Sequence, residues 1–319
     1  MIHQKNPITK SPNHQITKSP NLSIKIGSLI LKNPVLLASG TCGYGTELDG
    51  LLDLDQLGGI IVKGISIKPR PGNPPPRLVE TPCGLLNSIG LENVGIESFL
   101  RDKLPWLRNV KTSLIVNILG NSVEEYSEIA KKLDGAEGVK AIEVNISCPN
   151  VKAGGLAFGT DPEAAANVTR AVKKATGLPV IIKLTPNVTD ITKVARKVAS
   201  AGADAISLIN TLLGMAIDIK SRRPALANVF GGLSGPAIKP IALRMVWQVV
   251  RAVDIPVIGV GGISTPDDAL EFLMAGARAV EIGTATLIRP GTAEDVLAGI
   301  RDYMEANSIK NVEDLRLPA

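Results

Sequence analysis

With 319 residues, 45% of them hydrophobic, the chain can bury a substantial core as one large domain or two small ones. Three of its five excess positive charges, Lys5, Lys10 and Lys18, lie in the first 21 residues with no acid among them, so a nucleic-acid partner is not indicated. Aromatics make up only 3%, the three cysteines form no C-x-x-C pair, and no run of 18 apolar residues occurs; this predicts an aliphatic core in a reducing cytoplasm, with no disulfide framework, metal site or membrane span.

Residues 1–21 are polar and nearly repeat themselves, Ile8-Thr9-Lys10-Ser11-Pro12-Asn13 recurring as Ile16-Thr17-Lys18-Ser19-Pro20-Asn21. Such a segment cannot bury apolar surface, so a disordered tail is expected, and it lacks the apolar stretch of a secretory signal. It reads either as a functional tail or as an upstream-extended start, since the next methionine is Met215. Residues 22–319 read as one domain. Two short apolar stretches, 23–26 and 29–31, flank Gly27 and predict a hairpin lid over one end of it.

Eight apolar runs follow, at 34–38, 59–65, 113–119, 141–147, 179–184, 205–210, 256–261 and 279–282. Helix-start signals fall between them. Ser122 with Glu125 has the spacing of a capping box, and Asp161-Pro162-Glu163, Thr265-Pro266-Asp267 and Thr292-Ala293-Glu294 carry caps, first-turn prolines or acids. Strands alternating with helices in this number predict an α/β fold of the (β/α)8 TIM-barrel type. The runner-up, an open doubly wound sheet, lacks the G-x-G-x-x-G of a nicotinamide-binding half. Two insertions interrupt the alternation: a proline-rich excursion at 68–89, and 211–231, where 216–220 and 225–229 around Ser221-Arg222-Arg223-Pro224 predict a hairpin over the C-terminal face.

Barrel enzymes work at the C-terminal ends of their strands, and every run here ends in residues unsuited to packing. In order these are Ser39-Gly40, Lys63-Gly64, Asn117, Asn145 with Ser147 and Cys148, Lys183, Asn210-Thr211, Gly261-Gly262 and Gly283-Thr284. Both histidines, His3 and His14, lie in the tail, so histidine is no candidate for acid–base chemistry in the body. Cys148, in Val144-Asn145-Ile146-Ser147-Cys148-Pro149-Asn150, is then either the reactive thiol or a buried structural cysteine. Lys63 and Lys183 each interrupt an apolar run and should face something anionic or electron-rich, unless they snorkel to the rim. Glycine pairs after the seventh and eighth runs occupy the usual phosphate-binding positions of barrels, although singly such pairs are often only turns. Asn87-Ser88-Ile89-Gly90-Leu91 adds amide and hydroxyl groups suited to a planar ligand, and 152–159 is either a closing loop or a plain surface loop.

Taken together these stretches resemble the dihydroorotate dehydrogenases of pyrimidine biosynthesis, from about residue 22 to the end. The resemblance is carried by Val62-Lys63, Asn87-Ser88-Ile89-Gly90-Leu91, Asn145-Ile146-Ser147-Cys148-Pro149-Asn150-Val151, Lys183-Leu184-Thr185-Pro186-Asn187-Val188, Ile209-Asn210-Thr211, Gly231-Gly232-Leu233-Ser234-Gly235 and Gly259-Val260-Gly261-Gly262. It implies an FMN-binding (β/α)8 barrel in which Cys148 removes the C5 proton of dihydroorotate while hydride leaves C6. It further implies that Lys63, Asn87, Ser88, Ile89, Gly90, Leu91, Asn145, Asn210 and Thr211 hold the substrate. Ser39, Lys63, Gly64, Asn117, Asn145, Lys183 and Ile209 would contact the flavin, and Gly235, Gly261, Gly262, Gly283 and Thr284 would cradle its phosphate. No metal is implied, and Cys42 and Cys83 fall outside the catalytic motif as structural residues.

The cysteine at 148 is similar to the soluble class, the membrane-bound class carrying serine there. Asn150-Val151-Lys152, Phe158-Gly159-Thr160-Asp161-Pro162 and 225–240 resemble the NAD-linked class, class 1B. That class implies a partner subunit with FAD and a [2Fe–2S] cluster, and a homodimeric core within a heterotetramer. The fumarate-linked class 1A is the nearer alternative. A tRNA-dihydrouridine synthase-like flavin barrel is another, disfavoured by the short chain after the last helix, and a flavin-free sugar-phosphate barrel would leave Cys148 and the asparagines unexplained.

Overall fold

The structure, a computed structural model, describes residues 19–147 and 158–318. Eight β-branched, apolar segments form parallel strands: β1 (Val35–Leu37), β2 (Gly59–Ile65), β3 (Ser113–Ile118), β4 (Val139–Asn145), β5 (Val180–Leu184), β6 (Ala205–Leu208), β7 (Val257–Val260) and β8 (Ala279–Ile282). Each pairs with its neighbours in the chain, and β8 closes onto β1 through Val280 opposite Val35, so the sheet is a closed barrel. All eight lie on the apolar runs read from the sequence, and closure excludes the open sheet. The strands read as continuous hydrophobic runs because both faces are covered. Outside lie the helices Val123–Leu133, Pro162–Ala175, Ile191–Ser200, Lys239–Val250, Pro266–Met274 and Thr292–Ala306.

The first connection departs from strict alternation, with two 3-10 turns, Thr46–Leu48 and Leu54–Gln56, in place of an α-helix. The helix starts follow the chemistry of their caps. Asp161 accepts from the Glu163 and Ala164 amides, and Thr265 forms a capping box with Asp268. Ser122 accepts from the Glu125 amide, but the Glu125 carboxylate turns to the Asn121 amide at 2.7 Å, so the expected reciprocal box is shifted by one residue. Thr292 is itself the first helical residue, its hydroxyl donating to the Arg289 carbonyl at 2.6 Å.

The N-terminal hairpin, Ile24–Ile26 with Leu29–Leu31, forms as expected. Its turn residue Gly27 packs on Asp204, which immediately precedes β6, so the hairpin covers the N-terminal end of the barrel. Residues 1–18 of the expected tail lie outside the described residues, while Asn21 donates from its amide to the Lys310 carbonyl at 2.8 Å.

The two insertions do something the sequence did not show: they join. The proline-rich excursion ends in a hairpin, Leu78–Thr81 with Gly84–Asn87. The second insertion pairs Leu212–Met215 with Phe230–Ser234 and continues outward through Ile217–Asp218 and Arg223–Pro224. Gly232 sits opposite Asn87, so the two make one four-stranded sheet over the C-terminal strand ends. Opposite Ile217–Asp218 the returning strand is Arg223–Pro224; the expected returning segment 225–229 is not a strand, and Leu226 there is buried beside Gly231.

Ile26 is fully buried in the hairpin, whereas its neighbour Ile30 is 68% exposed. Ile26→Ala should cost about 2–5 kcal/mol in urea unfolding, and Ile30→Ala less than about 0.5 kcal/mol. Equal costs would mean that the hairpin is not packed as a plug.

Candidate active site at the strand ends

Lys183 sits near the end of β5, where the alternation of side chains aims it into the barrel rather than at the helices. Its ammonium donates to Glu281 Oε2 of β8 at 2.8 Å and to Glu143 Oε1 and Oε2 of β4 at 3.3 and 3.4 Å. Glu143 also accepts from Asn117 Nδ2 of β3 at 2.6 Å, from Ser207 Oγ of β6 at 2.8 Å and from Ser39 Oγ, just past β1, at 3.3 Å. Side chains from six places around the barrel can meet only near its axis. The polar knot therefore lies inside, below the strand ends.

Burial alone would push the Lys183 ammonium down, but the two glutamates outweigh it and hold its pKa above the usual lysine range. Burial likewise pushes Glu143 up, yet Lys183 and the hydrogen bonds from Ser207 and Asn117 hold it below its ordinary value. Lys183 was expected to face something anionic, and its counter-charges belong to the protein. Glu143, Ser207 and Glu281 went unassigned in the sequence; the available signal was an acid or hydroxyl in the middle of an apolar run.

Above the knot the strand ends carry a continuous polar rim. Asn145 Oδ1 accepts from the Ser147 amide at 3.1 Å and from Asn210 Nδ2 at 3.3 Å. Asn210 Oδ1 accepts from the Thr211 amide at 2.7 Å. A β-carbon on Gly232 would lie 2.0 Å from Thr211 Oγ1, and the carbonyl of Gly232 accepts from Asn87 Nδ2 at 3.1 Å. Asn87, Asn145, Asn210 and Thr211 are thus brought together through the joined insertion sheet. Asn187, not singled out as a site residue, ties the rim further by donating to the Thr211 carbonyl at 3.1 Å.

Ser147 Oγ is buried with no hydrogen-bond partner among the described residues. Cys148 lies outside the described residues, as do 149–157, which hold most of the expected closing loop. Lys63 of β2 forms no ion pair among the described residues. A β-carbon on Gly64 would lie 2.7 Å from Asn117 Oδ1, so only glycine fits against that amide.

Ser88 belongs to the excursion, its hydroxyl accepting from Asn73 Nδ2 at 3.0 Å. Ile89 and Gly90 run against Asn73, and Leu91 follows with a φ of 60°. Ile209 is buried under the ends of β6 and β7, where its amide donates to the Val260 carbonyl at 2.8 Å.

Beside β7 and β8 the backbone closes into a cradle. Gly235 has a φ of 92°, and a β-carbon there would lie 2.8 Å from Gly84 Cα. Gly262, φ 78°, sits with its β-carbon position 2.9 Å from the Gly235 carbonyl oxygen. These two positions admit only glycine. Gly261 adjoins them, and Thr284, following Gly283, donates from Oγ1 to Ser234 Oγ at 2.8 Å. Glycines and hydroxyls from three segments therefore converge as a nest of backbone groups suited to an anion.

A closed (β/α)8 barrel with a buried cation, an amide-rich rim and a glycine cradle at the strand ends has the build of an enzyme for a flat, anionic ligand. The family model for dihydroorotate dehydrogenase matches residues 21–304. The catalytic subunit of dihydroorotate dehydrogenase B (NAD(+)) from Geotalea daltonii is 58% identical over 296 residues, 93% of this chain and 97% of that protein. The same subunit from Geobacter sulfurreducens is 58% identical over 298 residues, 93% and 98% of the two chains, and that from Geotalea uraniireducens is 57% identical over 296. The chain belongs to the dihydroorotate dehydrogenase family.

Cys42 and Cys83 differ from one another. Cys42 Sγ donates to the Ile61 and Ala38 carbonyls at 3.1 and 3.3 Å, and burial pushes its thiol up to about 12. Cys83 is exposed at the turn of the excursion hairpin, so it has no packing role. Alkylation of the native protein near pH ~8 should label Cys83 and spare Cys42 by peptide mass spectrometry, since only a thiolate reacts; rapid labelling of Cys42 would contradict its burial.

Removing the central cation has a defined cost. Lys183→Met leaves a buried carboxylate without its counter-ion and should cost about 3–5 kcal/mol. Carboxyls left without Lys183 hold their protons above the unfolded pKa, so the native state binds more protons and the deficit should grow as pH rises. Urea unfolding of both proteins at acid and neutral pH checks this; a loss below about 1 kcal/mol would remove the ion pairs from the account.

Proposed function

We propose that the protein oxidises dihydroorotate to orotate as the catalytic subunit of an NAD-linked dihydroorotate dehydrogenase of pyrimidine biosynthesis, with FMN bound at the strand ends. The observation that carries this reading is the combination of the buried Lys183 knot and the glycine cradle on one barrel mouth, in a chain 58% identical to relatives named for that activity. The residues fit the cofactor. Gly235, Gly261, Gly262, Gly283 and Thr284 would hold the phosphate, and Ser39, Lys63, Gly64, Asn117, Asn145, Lys183 and Ile209 the ring system. When bound, FMN supplies the acceptor for the hydride that leaves C6 of the substrate.

The chain's own residues do the rest. Cys148 takes the proton from C5 as the C5–C6 bond becomes a double bond. Lys63, Asn145, Asn210, Thr211 and the stretch Asn87, Ser88, Ile89, Gly90 and Leu91 orient the ring and its carboxylate, which converts a chance encounter into a positioned one. Lys183 places fixed positive charge where negative charge grows, in a dry site that strengthens the effect.

We assign the onward electrons to a partner subunit with FAD and a [2Fe–2S] cluster, the chain itself forming the homodimeric core of a heterotetramer in the cytoplasm. The name "catalytic subunit" of the relatives supports a partner. So does exposed apolar surface on the insertion sheet, at Leu213, Met215 and Phe230, and on the ribbon beyond it, at Ile217 and Ile219, which a monomer rarely leaves uncovered. Among the described residues no helix is long and apolar enough to cross a membrane.

The purified protein should be yellow, release FMN on denaturation and bleach when dihydroorotate is added without oxygen. Cys148→Ser should keep its flavin and bleach roughly 10²–10⁴-fold more slowly near neutral pH. A colourless protein would refute the flavin reading, and unchanged bleaching of the variant would move the base elsewhere.

A further inference from the structure

The barrel axis holds two fully buried carboxyls, Glu143 and Glu281, with one cation, Lys183, between them. The carboxyls are not equally supported. Glu143 accepts from Asn117, Ser39, Ser207 and Lys183, so both of its oxygens are satisfied as an anion's should be. Among the described residues Glu281 accepts only from Lys183, through Oε2 at 2.8 Å, and its Oε1 is buried with no partner. The two carboxyls meet at one ammonium, 2.8 Å from Glu281 Oε2 and 3.3 Å from Glu143 Oε1. A bare carboxylate oxygen in that place would carry the full desolvation cost of a buried charge; a protonated one has a donor aimed at its neighbour.

We propose that Glu281 is held as a neutral carboxylic acid donating its proton to Glu143, and that it is a positioning residue for Lys183. The knot then carries no net charge: one ammonium, one carboxylate and one acid. The acid's carbonyl oxygen steers the ammonium from below, while its proton prevents a second negative charge from opposing the first. Burial, then the Glu143 charge, push Glu281 up to about 8, in keeping with this arrangement.

The other groups around Glu281 do not alter the balance. Its barrel neighbours β1 and β7 carry no titratable side chain, and the Cys42 thiol beyond β1 is neutral. On the outer layer, Asp268 and Glu271 of Pro266–Met274 pair with Lys239, and Asp267 is exposed. On Thr292–Ala306, Asp295 pairs with Arg289; Glu294, Arg301, Asp302, Glu305 and Tyr303 belong to the same outer layer. Lys63 of β2 forms no ion pair among the described residues. For its last step the proposal rests on the flavin reading: ionisation of Glu281 would place a net negative charge under the flavin and make it harder to reduce.

The test uses the full-length protein as purified, labelled with 13C-glutamate. Infrared spectra should show a protonated-carboxyl band at neutral pH that is lost with an inflection near pH ~8 and is absent in Glu281→Gln, whose amide can donate to Glu143 and accept from Lys183 in the same way. The unfolded acid loses its proton far below the folded one, so stability falls as pH rises between the two values. The melting temperature of the wild type should therefore drop relative to Glu281→Gln across that window. The flavin midpoint potential, which falls with pH in any flavin because reduction takes up protons, should fall more steeply above the inflection in the wild type than in the variant.

A wild type without the band at neutral pH, a band retained in Glu281→Gln, or a melting difference flat with pH would each overturn the proposal. If the variant does not fold, the titration of the wild-type band decides alone. If the protein carries no flavin, the proposed function fails, while the band and the melting difference still decide where the proton is.

Discussion

The ion pairs of Lys183 are the constraint around which the rest of this structure is arranged. A cation inside a barrel of aliphatic side chains is tolerable only with carboxyl groups in contact, and here these come from strands on opposite sides of the barrel, β4 and β8. The pairing fixes more than one side chain. Asn117, Ser207 and Ser39 are ordered by the same carboxylate, so three further strands or strand ends are registered to one centre. An aliphatic interior of this kind packs at any of several small rotations, whereas hydrogen bonds of 2.6–2.8 Å to one carboxylate do not.

From that centre the site can be understood as a division of labour between the two ends of the barrel. The N-terminal end is sealed by the hairpin, with Ile26 and Leu31 fully buried, and contributes packing alone. The C-terminal end spends little on packing. Its residues are amides, hydroxyls and glycines whose partners are largely one another, as in the run from Ser147 through Asn145 and Asn210 to Thr211. The insertion sheet is what converts this open rim into a walled site, because it brings Asn87 from one insertion and Gly232 from the other onto Thr211.

The eight strands and the face that carries the site were legible in the sequence, because their signals are local: an apolar run, a cap, a polar residue where the run stops. Lys63 and Lys183 stood out for the same reason, each being a cost that packing does not explain. What was not legible depends on contacts between segments far apart in the chain. The union of 78–87 with 212–234 is a pairing decided by backbone hydrogen bonds, to which side-chain pattern is nearly blind. Glu143 and Glu281 were hidden differently. Each is one acid inside an apolar run, a signal that marks a cost without naming the partner, which is fixed only when the barrel closes and points both at the same lysine.

The geometry also explains why the two lysines cannot be equivalent. Lys183 is enclosed, matched by two carboxyls and held above the usual lysine range, so its charge is permanent and its position fixed. Lys63 stands on the far side of β1 from β8 and forms no ion pair among the described residues. A pre-paired charge lends its field to a ligand but gives up little of its own hydration when one binds, because that was already lost on folding. A charge without a partner gains its partner only on binding. The two lysines therefore answer an anion differently: the enclosed one lends it a fixed field, and the one with no ion pair among the described residues gains a counter-charge.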